Sequence, residues 1–262
     1  MVAHEFVGTV VATEPIMGDA TLLTFTCPTG LASAVRAGRF VEILCRDRFS
    51  LDPLLRRPFS LFGASTSDDT LTVLARPFGR ASSWLVDRRV DDEVNLIGIL
   101  GNAFTVAPKA TNLLLVAGGV GAAPLVLLAE EAVKTGCDVT FLMGSPTAEG
   151  LLPPVSLPSR VEYLVATDDG SRGHHGFVTD LVPSFGQWAD QVFACGPEPM
   201  YHSLKRVLQP YRLAGKPTVQ VSSGRPMPCG FGACLGCIVE TRRGPVASCL
   251  HGPVFDLDDL VW

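Results

Sequence analysis

Residues Leu113 to Ala129 read LLLVAGGVGAAPLVLLA, the most apolar run of the chain. Its length approaches the roughly 20 apolar residues that a membrane-spanning helix needs. Gly118, Gly119, Gly121 and Pro124 interrupt it, and these residues suit a buried strand, a tight turn and a helix start instead. On that reading the run is the first strand-turn-helix unit of a soluble α/β domain, with no membrane span.

The flanking sequence extends this pattern. Downstream, DVTFLMGSP, VEYLVATDDG, VTDLVPSF, DQVFACGP and EPMYHSLKRVLQP alternate apolar runs with amphipathic ones, which predicts a parallel sheet covered on both faces over residues 108–213. Upstream, FVGTVVATEPI, ATLLTFTCPTG, GRFVEILC, RRPFSLFGAS, DTLTVLARP and DEVNLIGIL are short apolar stretches broken by turn residues. They predict an antiparallel β-barrel over residues 1–107, with a short helix at Ser82 to Arg88. A Gly-, Pro- and Cys-rich tail over 214–262 predicts a small third unit. The fold class is therefore α+β multidomain. A chain of 262 residues has room for about two domains plus this small unit. Its 47% hydrophobic and 18% charged residues, with a net charge of −5, describe a globular, mildly acidic protein without a basic block for nucleic acid. No secretory signal is read at the N-terminus, so a cytoplasmic, reducing setting is expected.

The tail holds Cys229, Cys234, Cys237 and Cys249 in CGFGACLGCIVETRRGPVASC, a C-x4-C-x2-C-x11-C spacing. Three close thiolates and one distant one match the plant-type pattern for a 2Fe-2S cluster. Gly230, Gly232 and Gly236 supply the left-handed angles and close amides that a loop around a cluster needs. A structural zinc is the alternative, but zinc ribbons favour two C-x2-C pairs, and only Cys234/Cys237 has that form. Disulfides are a weaker reading in a reducing setting. Cys27, Cys45 and Cys137 read as small buried apolar residues.

Gly119, Gly121 and Pro124 form a turn that can present amides and a helix N-terminus to a pyrophosphate. Asp168 and Asp169 end a later strand, where carboxylates favour NAD over NADP by repelling a 2′-phosphate; a solvated turn is the other reading. Cys195, Gly196 and Pro197 close another strand at its carboxyl end, where ligands bind in such sheets. In the barrel segment, Arg57-Pro58-Phe59-Ser60 and Arg76 with Gly79, Ala81 and Ser82 put guanidinium groups, a ring and hydroxyls near strand ends. An arginine can grip a diphosphate bidentately. His174 and His175 in a Gly-rich loop read as a surface turn, and no catalytic base is assigned.

Taken together, RRPFSL, LGNAF, ATDDGSRGHHGFVTD, CGPEPM and CGFGACLGC resemble the electron-transfer subunits of type B, NAD-dependent dihydroorotate dehydrogenases, within the ferredoxin-NADP reductase superfamily. The resemblance covers essentially the whole chain. It implies FAD held by Arg57 and Ser60, NAD as substrate, a 2Fe-2S cluster, and a partner subunit carrying FMN that oxidises dihydroorotate in pyrimidine synthesis, two copies with two. The partner is expected to contact the surface around Phe231 and Leu235. Ile99 and Ala103 in GILGNAF, Gly224, and Arg80-Ala81-Ser82 depart from the family pattern. The alternatives are an NAD(P)H-linked reductase subunit with another partner, a ferredoxin reductase or hydrogenase, and a non-catalytic redox sensor.

Overall fold

The computed structural model describes residues 4–214 and 217–261. Six strands, β1 (His4–Met17), β2 (Ala20–Thr26), β3 (Phe40–Leu44), β4 (Arg57–Ser65), β5 (Thr70–Ala75) and β6 (Glu93–Leu100), close into a barrel in the order β1-β2-β5-β4-β3-β6. Every neighbouring pair is antiparallel. The two-residue period of a strand sends Leu23 and Phe25 of β2, Val41 and Ile43 of β3, and Leu71 and Val73 of β5 into the core. Closure leaves no free edge. The expected helix in this unit is α1 (Arg80–Val86). It begins ahead of Ser82 because the Ser82 hydroxyl folds back to accept the amides of Phe78 and Gly79, at 2.9 and 3.2 Å.

The apolar run resolves as strand, turn and helix: β7 (Asn112–Gly118), a 3-10 turn at Gly119–Gly121, and α2 (Ala122–Lys134). With β8 (Asp138–Ser145), β9 (Glu162–Thr167), β10 (His174–His175), β11 (Gln191–Cys195) and β12 (Thr218–Ser222), β7 forms a parallel sheet. Its order is β10-β9-β8-β7-β11-β12, so the direction of winding reverses between β7 and β11. Leu113, Leu115 and Ala117 of β7 pack into one core, while Leu114 and Val116 pack into another on the opposite face. Burial on both faces explains the unbroken apolar sequence of β7. α2 is apolar nearly all round because it lies between this sheet and β4 of the barrel, so one continuous core joins the two units. The opposite face is covered by α3 (Glu198–Leu208), through Tyr201, Leu204 and Leu208.

The strand-helix alternation is incomplete. Between β8 and β9 the chain makes 3-10 turns at Ala148–Gly150 and Pro154–Ser156, because adjacent prolines at 153 and 154 forbid a continuous helix; buried Leu151, Leu152 and Leu157 cover the sheet there instead. VTDLVPSF likewise forms two 3-10 turns, Val178–Asp180 and Val182–Phe185.

The C-terminal segment is stitched into the sheet. After β12 comes the cysteine loop, then the hairpin β13 (Ile238–Thr241) and β14 (Gly244–Ala247), the short α4 (Ser248–His251), and β15 (Val254–Asp256), which returns antiparallel to β12 at the sheet edge. Met227, Cys237, Ala247 and Cys249 pack with Phe40 and Leu100 of the barrel as a third apolar cluster. Among the described residues no helix is long and apolar enough to cross a membrane.

Candidate functional site

The hairpin explains the long gap in the cysteine spacing. Ile238 pairs with Ala247, and the Ser248 amide donates to the Cys237 carbonyl at 3.0 Å, so the ladder returns the chain to the end it left. Cys249 thereby sits beside Cys237, its amide donating to Cys237 Sγ at 3.4 Å. Cys229 and Cys234 pair likewise through their thiols. Two pairs of thiols match a binuclear centre, in which each iron takes two thiolates. Among the described residues no three His, Cys, Asp or Glu side chains converge as a single metal ion requires.

Loop amides point at sulfur: Gly232 N–H donates to Cys249 Sγ at 3.2 Å and Gly236 N–H to Cys234 Sγ at 3.4 Å. Gly230 and Gly232 have φ of 78° and 82°, and a Cβ on Gly232 would stand 2.3 Å from Leu250. These glycines are required by conformation and by space. Burial alone would raise the Cys229 thiol, but the amides of Cys234, Phe231 and Ala233 and the Cys234 thiol outweigh it and bring it down to about 7. Cys249, buried and beside Cys237, is pushed up to about 12. The donor chemistry and the amide cradle fit an iron-sulfur cluster.

Asn102 of the LGNAF stretch fastens this unit to the barrel. Its amide nitrogen donates to the carbonyls of His251 and Val254, at 3.2 and 2.8 Å, and its Oδ1 accepts the Val254 amide at 2.9 Å. Beneath the cysteine loop lies Glu42, wholly buried on the face of β3 that it shares with Phe40. Neither carboxylate oxygen has a hydrogen-bond partner among the described residues. Burial, and then the nearby Cys229, raise its carboxyl to about 8 against the opposing pull of Arg56 and Arg57.

A cavity of about 620 Å³ lies on the barrel, lined by every barrel residue singled out from sequence: Arg57, Pro58, Phe59, Ser60, Arg76, Gly79, Ala81 and Ser82. Arg80, singled out only as a departure from the family pattern and here ion-paired to Asp52, also lines it, as do Val120 and Ala123 from the neighbouring unit, which the sequence alone does not point to. A second cavity, of about 720 Å³, lies where the sheet order reverses, the position at which such sheets bind ligands. Gly119, Gly121, Asp168, Cys195, Gly196 and Pro197 line it. Pro124 lines neither cavity and is buried in the first turn of α2. Both volumes suit small-molecule or cofactor binding.

The two cavities share Pro58, Ser60, Arg76, Phe78 and Val120, so they are two arms of one cleft. Arg225 and Met227, leading to the cysteine loop, form a further wall of the second. A Cβ at Gly79 or Gly119 would meet no protein atom within 4 Å, so the open space at both belongs to the cleft. At Gly121 the reverse holds: a Cβ would stand 2.1 Å from the Cys195 carbonyl oxygen, and glycine alone lets the β7 turn meet the end of β11. Burial drives the Cys195 thiol up to about 12, with Ser222 bonding to it, so it stays protonated. Three-arginine chemistry in the first arm and the glycine turn in the second fit a flavin dinucleotide beside a nicotinamide dinucleotide.

Residues 225–261 match the family model described as the iron-sulfur cluster binding domain of dihydroorotate dehydrogenase B. The dihydroorotate dehydrogenase B (NAD(+)) electron transfer subunit of Desulforamulus reducens is 32% identical over 260 residues, covering 97% of each chain. That of Bacillus caldolyticus is 35% identical over 229 residues, 86% of each chain. Among solved structures, the NADH-dependent reduced ferredoxin-NADP oxidoreductase superposes with a TM-score of 0.85 at 24% identity, over 97% of this chain and 90% of that one. A ferredoxin NADP+ reductase from Neisseria gonorrhoeae, with bound FAD and NADP, gives 0.65 at 15% identity, over 79% and 91%. The structural likenesses establish the fold, and the sequence relatives, matched nearly end to end, establish that this chain belongs to the family of dihydroorotate dehydrogenase B electron transfer subunits.

Proposed function

We propose that this chain is an oxidoreductase subunit that links a dihydroorotate-oxidising, FMN-containing partner to NAD, through its own 2Fe-2S cluster and FAD, in the cytoplasmic synthesis of pyrimidines, two copies with two. A flavin exchanges electrons singly with a cluster and in pairs, as hydride, with a nicotinamide. One observation carries the reading: the two arms of the cleft join at Ser60, Arg76 and Val120, and the segment opening the cysteine loop walls the second arm.

In this reading Arg57 and Arg76 hold the flavin diphosphate, and Ser60 bonds its ring system at the junction of the arms. Gly119 leaves room for the NAD pyrophosphate, and Asp168 holds an adenosine ribose hydroxyl and repels a 2′-phosphate. Cys195, Gly196 and Pro197 wall the nicotinamide site, where an uncharged thiol adds no charge beside the ring. Cys229, Cys234, Cys237 and Cys249 bind the cluster. Phe231 and Leu235 are 47% and 61% exposed, and these apolar side chains on the cluster loop suit contact with the partner. Anaerobic co-purification with the partner, followed by assay of dihydroorotate-dependent NAD reduction, tests the function; flavin and cluster bands without orotate formation would assign the chain to another partner.

A further inference from the structure

The nicotinamide wall is held by a side chain that never reaches the cleft. Tyr201 is buried in α3, in the core cluster that also holds Val192, Ala194 and Leu204, and it does not line the second cavity although Met200 and Ser203 do. Its hydroxyl accepts the Gly196 amide at 3.0 Å and donates to the Ser222 carbonyl at 2.6 Å. Ser222 ends β12, pairs with Cys195 in the sheet and bonds its thiol. The next residue, Ser223, donates its amide to the Pro253 carbonyl at 2.8 Å, beyond the last cysteine. One phenol thus ties the Cys195–Pro197 turn to the strand that leads into the cysteine loop. Phenylalanine would satisfy the packing, so it is the hydroxyl that needs a reason. Without it a backbone donor and a buried acceptor lose this partner together.

We propose that Tyr201 is a positioning residue for hydride transfer, its hydroxyl fixing the Cys195–Gly196–Pro197 turn against Ser222 so that the nicotinamide meets the flavin at reacting distance. The proposal rests on the NAD reading of the second cavity. Small errors in placement are costly in such a step, since about an ångström can cost on the order of a hundredfold.

The test compares the purified complex with its Tyr201→Phe variant by anaerobic stopped-flow reduction of the flavin with NADH and with NADH deuterated at the transferred position, rates being expressed per bound flavin. The expected result is a rate lowered about tenfold or more, a larger isotope effect, a half-saturating NADH concentration changed far less than the rate, and faster hydrogen exchange at the Gly196 amide. An unchanged rate per flavin and isotope effect would overturn the proposal. Lower flavin content or melting temperature with that rate unchanged would do the same, by assigning Tyr201 to folding alone. A wild-type flavin that NADH fails to reduce would sink the NAD reading and the proposal with it, and the wild-type trace separates that failure from the others.

Discussion

Gly121→Ala places one methyl group at the point where the β7 turn meets the end of β11. The new carbon would lie 2.1 Å from the Cys195 carbonyl oxygen, 2.5 Å from its carbon and 2.9 Å from the Gly196 nitrogen, where real contacts essentially never fall under 3.0 Å. About an ångström must therefore open between two backbones. Neither yields easily: β11 is hydrogen-bonded on one side to β7 and on the other to β12, and the following turn is tied to Tyr201. Overpacking of this kind costs about 1–3 kcal/mol of stability. An ångström of displacement at the nicotinamide wall costs on the order of a hundredfold in kcat/KM, about 2.7 kcal/mol of barrier. The assay is NADH oxidation with ferricyanide, expressed per bound flavin, beside Gly136→Ala as control. Gly136, in the turn after α2, lines neither cavity; it has a φ of 88° but no neighbour within 4 Å of an added Cβ, so its variant bears a backbone cost of about 1–2 kcal/mol without the collision. A Gly121→Ala protein with wild-type kcat/KM would refute the placement of NAD at the reversal of the sheet.

Three further outcomes are expected. Cys234→Ser, at the exposed thiol of the first pair, should abolish the cluster's visible absorption and electron flow from the partner while leaving NADH-ferricyanide activity within about threefold, because that activity needs the two arms of the cleft but not the cysteine loop; joint loss of both would contradict separate sites. Glu42 binds protons more tightly folded, at about 8, than free, at 4.5, so the wild-type chain loses stability as pH rises between those values. Glu42→Gln removes this decline, and its melting temperature should overtake wild type increasingly towards pH 8, by up to several kcal/mol of stability; parallel pH profiles for the two proteins would show that Glu42 does not titrate in this window. Phe231→Glu combined with Leu235→Glu should abolish stable association with the catalytic partner in gel filtration while sparing NADH-ferricyanide activity, and an intact complex would move the interface elsewhere.

The stretches that line the cleft were legible in the sequence. The glycines of the β7 turn, the RPFS stretch and the Cys-Gly-Pro turn stand in adjacent positions and line it together, and the apolar run declared its own break through Gly118, Gly119, Gly121 and Pro124. What the sequence hid arises from distance along the chain. Tyr201 bridges Gly196 to Ser222, and Asn102 reaches Val254. Nothing in EPMYHSL marks a tyrosine hydroxyl as different from any core aromatic. Glu42 sits in FVEIL, where alternation suggests an ordinary outward-facing acid, yet the cysteine loop folds over it and buries it. The alternation of strand and helix was overextended for a local reason, since Pro153 and Pro154 exclude a helix from the β8–β9 crossover. β12 and β15 fall in the segment assigned to the cysteine unit but complete the sheet edge, because short strands in a Gly- and Pro-rich tail give too little period to read.

The most direct measurement is anaerobic reduction of NAD by dihydroorotate in the complex of this chain with its co-purified partner, followed at the NADH, flavin and cluster absorption bands together. Orotate and NADH formed in equal amounts, with flavin and cluster bands bleaching and recovering during turnover, is the expected result. A complex that shows those bands and oxidises NADH with ferricyanide but makes no NADH from dihydroorotate would contradict the central claim.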